Sequence, residues 1–192
     1  MKIHTCSLLV FALFAAACAT APSRPSRPEN VTVTFERPEN FTDVKDSFSG
    51  SLDKVRDGYL EDLARHLKEN ASRLLGDGQK LAVTITDVDM AGDFEPGHGP
   101  AAMDIRIVRQ IYPPRINLSF KVTDAAGATV REGARQLRNL DFMMDPAAAM
   151  RTSDTLRHEK ALLDNWINSD LSGLESSLKP AARAPGGRAS AP

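Results

Sequence analysis

The sequence predicts an α+β domain: a mostly antiparallel sheet of about five strands with two main helices packed on one face, in the order β-α-β-β-β-β-α. Three observations predict it. Apolar and polar residues alternate in several short runs, the period of a half-buried strand. Two longer stretches, about 51–75 and 154–174, carry apolar residues near helical spacing instead. Turn residues separate the runs.

The chain opens with Lys2, an apolar run from Leu8 to Phe14, and the small residues Ala15-Ala16-Ala17 before Cys18. Charge, apolar core and small residues in that order are the three parts of a signal peptide, here 1–17. The apolar run is shorter than the roughly 20 residues that span a bilayer as a helix. Phe14-Ala15-Ala16-Ala17-Cys18 resembles a bacterial lipobox, with Ala15 where Leu is more typical. Lipidation at Cys18, by palmitate and similar acyl chains, would anchor the protein, each buried CH₂ contributing about 0.8 kcal/mol. Ala19 after the cysteine resembles the outer-membrane sorting pattern. The competing reading is ordinary cleavage after Ala17 or near Ala21, giving a soluble periplasmic or secreted protein.

Residues 18–29 follow as a Pro-rich tether that buries nothing, and 179–192 as a disordered tail rich in Pro, Ala and Gly. One domain, 30–178, lies between. Basic and acidic residues number 24 and 25 and are interspersed. That leaves no electrostatic footprint for nucleic acid. With Cys6 removed and Cys18 acylated, the domain holds no thiol, which excludes disulfides, Cys nucleophiles and Cys-based zinc sites.

Within the domain, Val31-Thr32-Val33-Thr34-Phe35 alternates and reads as the first strand. The helix at about 51–75 has Leu52, Val55, Tyr59, Leu63, Leu67 and Leu74 on its buried face, Ser49 or Ser51 as N-cap, and Gly76 as the left-handed residue at its end. Leu81–Asp89 is the second strand and Met103–Val108 the third. After Pro113-Pro114, Ile116, Leu118, Phe120 and Val122 face the core from the fourth. Asp124-Ala125-Ala126-Gly127 is a hairpin turn with Gly at positive φ, and Thr129–Leu140 returns antiparallel. The last helix, about 154–174, has Leu162, Trp166 and Leu178 as anchors.

Three segments together resemble a bacterial family, domain of unknown function 3016. They are Leu81 to Phe94 with Thr86-Asp87-Val88-Asp89, Ile111-Tyr112-Pro113-Pro114-Arg115-Ile116, and Ser153 to Trp166 with Glu159-Lys160 and Leu163-Asp164-Asn165-Trp166. The resemblance covers about 30–172 and implies an exported α+β domain without an assigned activity. The resemblance implies that an aromatic usually stands where His158 is and a second Asp where Asn165 is. Those departures weigh against His158 as an obligatory base.

The candidate polar cluster is Asp87, Asp89, Tyr112, Arg115, Arg157 and His158, with Cys18 as the lipidation site. Asp87, Asp89, Asp93 and Glu95 form a carboxylate-rich stretch of the kind Ca²⁺ takes, without EF-hand spacing. The competing reading is a solvated strand end paired with Arg106 or Arg115. Arg115 has the fork suited to carboxylate or phosphate; its bland reading is a pair with Asp87 or Asp89. His158-Glu159-Lys160-Ala161-Leu162 lacks the second His of a zinc-protease helix, and zinc through His66, His98 and His158 needs distant segments to meet. Met143-Met144 offers an adaptable apolar surface or loop packing. No nucleophile elbow, phosphate loop or dinucleotide glycine pattern occurs. No cofactor or metal is expected. The leading expectation is a non-catalytic, lipid-anchored envelope module with an envelope protein or small ligand as partner. The alternative is a periplasmic hydrolase using carboxylates and His158.

Overall fold

A computed structural model describes residues 30–44, 52–95 and 105–174. The signal segment, Cys18, the tether, the caps Ser49 and Ser51, His98, Leu178 and the tail lie outside them. The strands are β1 (Val31–Phe35), β2 (Lys80–Asp89), β3 (Arg115–Thr123) and β4 (Thr129–Arg138). They pair in the order β1-β2-β3-β4. The helices are α1 (Leu52–Ala71), the single turn α2 (Pro146–Ala149) and α3 (Arg157–Trp166).

The expected α+β class holds, but the sheet is mixed and four-stranded among the described residues. β1 runs parallel to β2, with α1 supplying the crossover a parallel pair requires. β2–β3 and β3–β4 are antiparallel. The expected strand at 103–108 is not formed in its described part. There, Ile107 makes an isolated bridge to Asp93, with both backbone bonds at 2.8 and 3.1 Å. Its apolar residues supply one pairing position rather than a face, so periodicity over-read a short run.

Alternation decides which face is buried. Leu81, Val83, Ile85, Ile116, Leu118, Phe120 and Val122 point into the core. Thr34, Thr84, Ser119 and Lys121 point away from it. A register shift between Ile85 and Asp87 preserves this inward set while re-aiming the end of β2. The hairpin forms as expected: Gly127 has φ 84°, and the Asp124 carboxylate accepts from the amides of Ala126 and Ala128.

Both long helices cover the inward face. α1 buries Leu60, Leu63, Leu67 and Ala71. It stops at Ala71 rather than Leu75, and Gly78, not Gly76, takes the left-handed conformation. α3 buries Leu162, Leu163 and Trp166, the last edge-to-face on Phe120 at 5.4 Å between centroids. The chain then widens into a π-helical turn, Ile167–Leu171. Arg131 donates to the Asp170 carbonyl there, and Arg135 grips the Asp170 carboxylate at 2.9 and 2.7 Å. The helix therefore ends on β4 instead of continuing to Leu174 as expected. No helix of the described residues is long and apolar enough to cross a membrane.

Truncating Leu163, fully buried between α3 and the core, tests this packing. Leu163→Ala is expected to lower the unfolding free energy by about 2–5 kcal/mol, whereas Ser119→Ala on the open face stays within about 0.5 kcal/mol. Urea denaturation reads both, and equal losses would contradict the layer assignment.

Candidate functional site

A groove of about 390 Å³ lies at the end of the sheet where β2 stops and β3 begins. Three local features build it. After β1 the chain turns through Pro38–Asn40 and comes back to bridge Asp43 to Asp89. The Asp43 amide donates to Val88 at 3.0 Å, and the Met90 amide to Asp43 at 3.1 Å. Gly92 then brings its backbone under the opposite wall, its amide donating to the Tyr112 carbonyl at 3.0 Å. Its φ is 85°, and a Cβ there would lie 2.8 Å from the Ile107 carbonyl, so the close approach needs glycine. The buried Pro113-Pro114 pair finally sets the entry of Arg115 into β3.

The lining includes Asp89, Tyr112, Pro113 and Arg115, with Thr42, Asp43, Asp93, Phe94, Ile111 and Arg138 around them. Arg115 stands directly across from Asp89 and donates Nε to its Oδ2 at 2.8 Å, with a second bond from Nη2 to the same oxygen. Burial pushes the Asp89 carboxyl above its ordinary range, against the pull of Arg115. Arg106 donates to Asp43 Oδ2 at 2.8 Å and to the Gly92 carbonyl at 2.9 Å, with its guanidinium 4.6 Å from the Phe94 ring centre. The Tyr112 hydroxyl is pushed up by desolvation and by hydrogen bonding to Glu95, which Arg109 also pairs at 3.0 Å.

The expected cluster divides. Asp89, Tyr112 and Arg115 meet in the groove. Asp87 turns onto Thr42, accepting from its amide at 2.7 Å and its hydroxyl at 2.9 Å, and fastens the returning segment. Arg157 and His158 are in the helical layer. His158 is buried edge-to-face on Phe142 at 4.8 Å and accepts at Nε2 from Arg157 Nε at 3.1 Å. Burial and the adjacent Arg157 charge lower its pKa, which favours the neutral ring. It acts as a packing residue against the Phe142 ring. The groups a hydrolase reading would join, Asp87, Asp89, Arg115 and His158, are not brought together in the groove.

The carboxylates of the acid-rich stretch are engaged separately: Asp87 on Thr42, Asp89 on Arg115, Asp93 on the Phe94 amide at 2.7 Å, Glu95 on Arg109. Among the described residues no three His, Cys, Asp or Glu side chains cluster as metal ligands. Asp43 and Arg138 escaped the sequence reading, and Arg106, expected to pair with the acids of 87–95, pairs with Asp43 instead. Arg138 was legible in principle, because counting back along the hairpin from Gly127, with one bulge, places it opposite Arg115. Asp43 and Arg106 sit in irregular segments with no period to follow.

α3 supports the groove floor from behind. The buried Glu159 carboxylate accepts from the Ala91 amide at 2.6 Å, while its Oε2 has no hydrogen-bond partner. Next to it Lys160 donates to Asp62 on α1 and to Asp154, both at 2.6 Å. Burial would lower the Lys160 pKa, but the two carboxylates outweigh it and hold the pKa up. One turn on, Asp164 takes His66 of α1 at 2.7 Å and Arg151 at 2.6 Å. The Glu-Lys…Leu-Asp-x-Trp segment is thus a fastening of helix to helix and helix to floor.

These features define a small α+β domain that carries a polar groove at one end of a mixed sheet. Residues 29–169 match the family described as Protein of unknown function (DUF3016), and the chain belongs to it. Neither a curated protein nor a solved structure matches the chain.

Two titrations check these supports. Burial raises the Glu159 pKa above 4.5, with the Ala91 amide bond as the main opposing pull. Its contribution to stability is therefore fully present below pH 4.5 and is lost as pH rises through the folded value. Glu159→Gln keeps an acceptor for Ala91 and cannot ionise. Its melting temperature is expected to gain on the wild type between pH 5 and pH 8; a constant difference would show that Glu159 does not titrate there. Asp164 behaves oppositely. Burial would raise its pKa, but His66 and Arg151 outweigh burial and hold it below 3.8. Its contribution is present above pH 3.8 and is lost as pH falls through the lower folded value. Asp164→Asn should therefore flatten the acid limb of the stability curve, read by denaturation at pH 2 to 5.

Proposed function

We propose that this protein is a non-catalytic binding module of the bacterial cell envelope, held at the membrane by lipid on Cys18. Its recognition surface is the groove bordered by Asp89, Tyr112, Arg115 and Arg138. The observation that carries this reading is the groove itself, in which charged and aromatic side chains converge without an assembled acid–base or nucleophile pair. Ile111 on its wall is 69% exposed. Beyond Arg138, Leu140, Met143, Met144 and Met150 are also exposed, an apolar set suited to an adaptable protein contact. An N-terminal segment shaped like a lipoprotein signal, followed by a Pro-rich tether, supports placement on the periplasmic side, most simply at the outer membrane.

Crosslinking in intact cells with a photoreactive residue at Ile111, read by mass spectrometry, tests the reading. The expected outcome is a reproducible envelope component that is lost or reduced in Cys18→Ala cells. The same cells fed labelled palmitate should label the wild type and not Cys18→Ala. Absence of label on the wild type would overturn the anchor. Absence of any specific crosslink would overturn the binding role.

A further inference from the structure

We infer that the groove captures an anionic oxygen group, a phosphate or a carboxylate, between the guanidinium groups of Arg115 and Arg138. This rests on the groove being a binding site and names what it binds. The β3–β4 register sets Arg115 and Arg138 directly opposite each other. Both belong to the sheet face turned away from the helices, and both line the groove. Side chains in that relation have Cβ atoms about 4.5–5.5 Å apart, and like charges so placed repel. One carboxylate completes the row: Asp89, across β3 from Arg115.

That carboxylate serves Arg115 and leaves its neighbour uncompensated. Asp89 receives both of its bonds from Arg115, through Nε and Nη2 onto one oxygen. The Arg115 side chain is still 52% exposed. Arg138 is exposed and makes no ion pair or hydrogen bond among the described residues. The other carboxylates lining the groove are engaged elsewhere, Asp43 with Arg106 and Asp93 with the Phe94 amide. Arg109, beside the groove, has its own acid in Glu95. Arg138 is the cation that this arrangement leaves over, and it stands where it repels Arg115.

A bound anion turns that repulsion into attraction. Phosphate and carboxylate oxygens match the guanidinium fork and accept from two of them at once. The exposed Ile111 and the Tyr112–Pro113 wall would lie against an apolar portion of the same ligand. The anion is carried by a free small molecule or by a lipid headgroup, and the chemistry of capture is shared.

Calorimetric titration at low ionic strength decides it, with inorganic phosphate, succinate, and vesicles of phosphatidylglycerol or phosphatidylcholine as probes. The wild type is expected to bind phosphate or succinate saturably, or phosphatidylglycerol vesicles in preference to phosphatidylcholine. Arg138→Ala should weaken that binding at least tenfold, while Lys121→Ala, on the same face outside the groove, should leave it unchanged. Without anion, Arg138→Ala should melt no lower than the wild type in low salt, because it removes a repulsion. No saturable binding of any anionic probe by the wild type, or equal affinity in Arg138→Ala, would overturn the proposal. A crosslink from Ile111 that persists in that case would retain the binding role and reject the anion alone.

Discussion

The groove depends on a buried hydrogen bond, the one from the Ala91 amide to the Glu159 carboxyl. It ties the irregular floor of the groove to the helix that closes the core. The floor carries few regular backbone bonds of its own, since it runs past the end of β2 through an isolated bridge and a left-handed glycine. A buried amide without an acceptor would cost about 1–3 kcal/mol. Glu159 supplies the acceptor, and burial raises the pKa of its carboxyl, against the pull of the Ala91 amide.

That support is only as firm as the placement of α3, and α3 is placed by two kinds of contact. Leu163, Leu162 and Trp166 bury apolar surface against the sheet and α1. Lys160 with Asp62 and Asp154, and Asp164 with His66 and Arg151, form two polar rungs one helical turn apart. Such pairs add little net stability, because desolvation offsets their attraction. Their specific value is registry: a one-turn slide of α3 along α1 would leave Lys160 and Asp164 facing the wrong partners. Glu159 would then leave Ala91. The Glu-Lys…Leu-Asp-x-Trp segment is a positioning device for the groove, although none of its side chains lines it.

Much of the fold was legible because period and burial coincide in it. Strands β1, β2, β3 and β4 were found near their true limits, and so was the Asp124–Gly127 turn, since alternation and a positive-φ glycine are local signals. The Tyr112-Pro113-Pro114-Arg115 segment was legible as a wall of something, and its arginine as a partner of Asp89. The expected strand at 103–108 failed because a short apolar run carries no information about whether a neighbour is available to pair with. His158 was misplaced as a possible site residue because a histidine near acids in sequence has no direction until the helix packs; here it faces Phe142. Arg106 was legible as a partner for an acid, but its pairing with Asp43 was not, since the two are 63 residues apart in segments without periodicity.

By itself the sequence determined the α+β class, the polar open face and buried inner face of each strand, and the membership that its motifs suggested. It also set the thiol-free character of the domain, since both cysteines, Cys6 and Cys18, precede it. Those properties follow from local pattern and composition. Only the tertiary structure decided that β1 joins in parallel, that the π-helical turn docks on β4, and that Asp89, Arg115 and Arg138 share one row while Arg157 and His158 lie in another layer. The reason is physical. Strand register and helix registry are fixed by contacts between distant segments, and a side chain acquires its charge partner only once those contacts have formed.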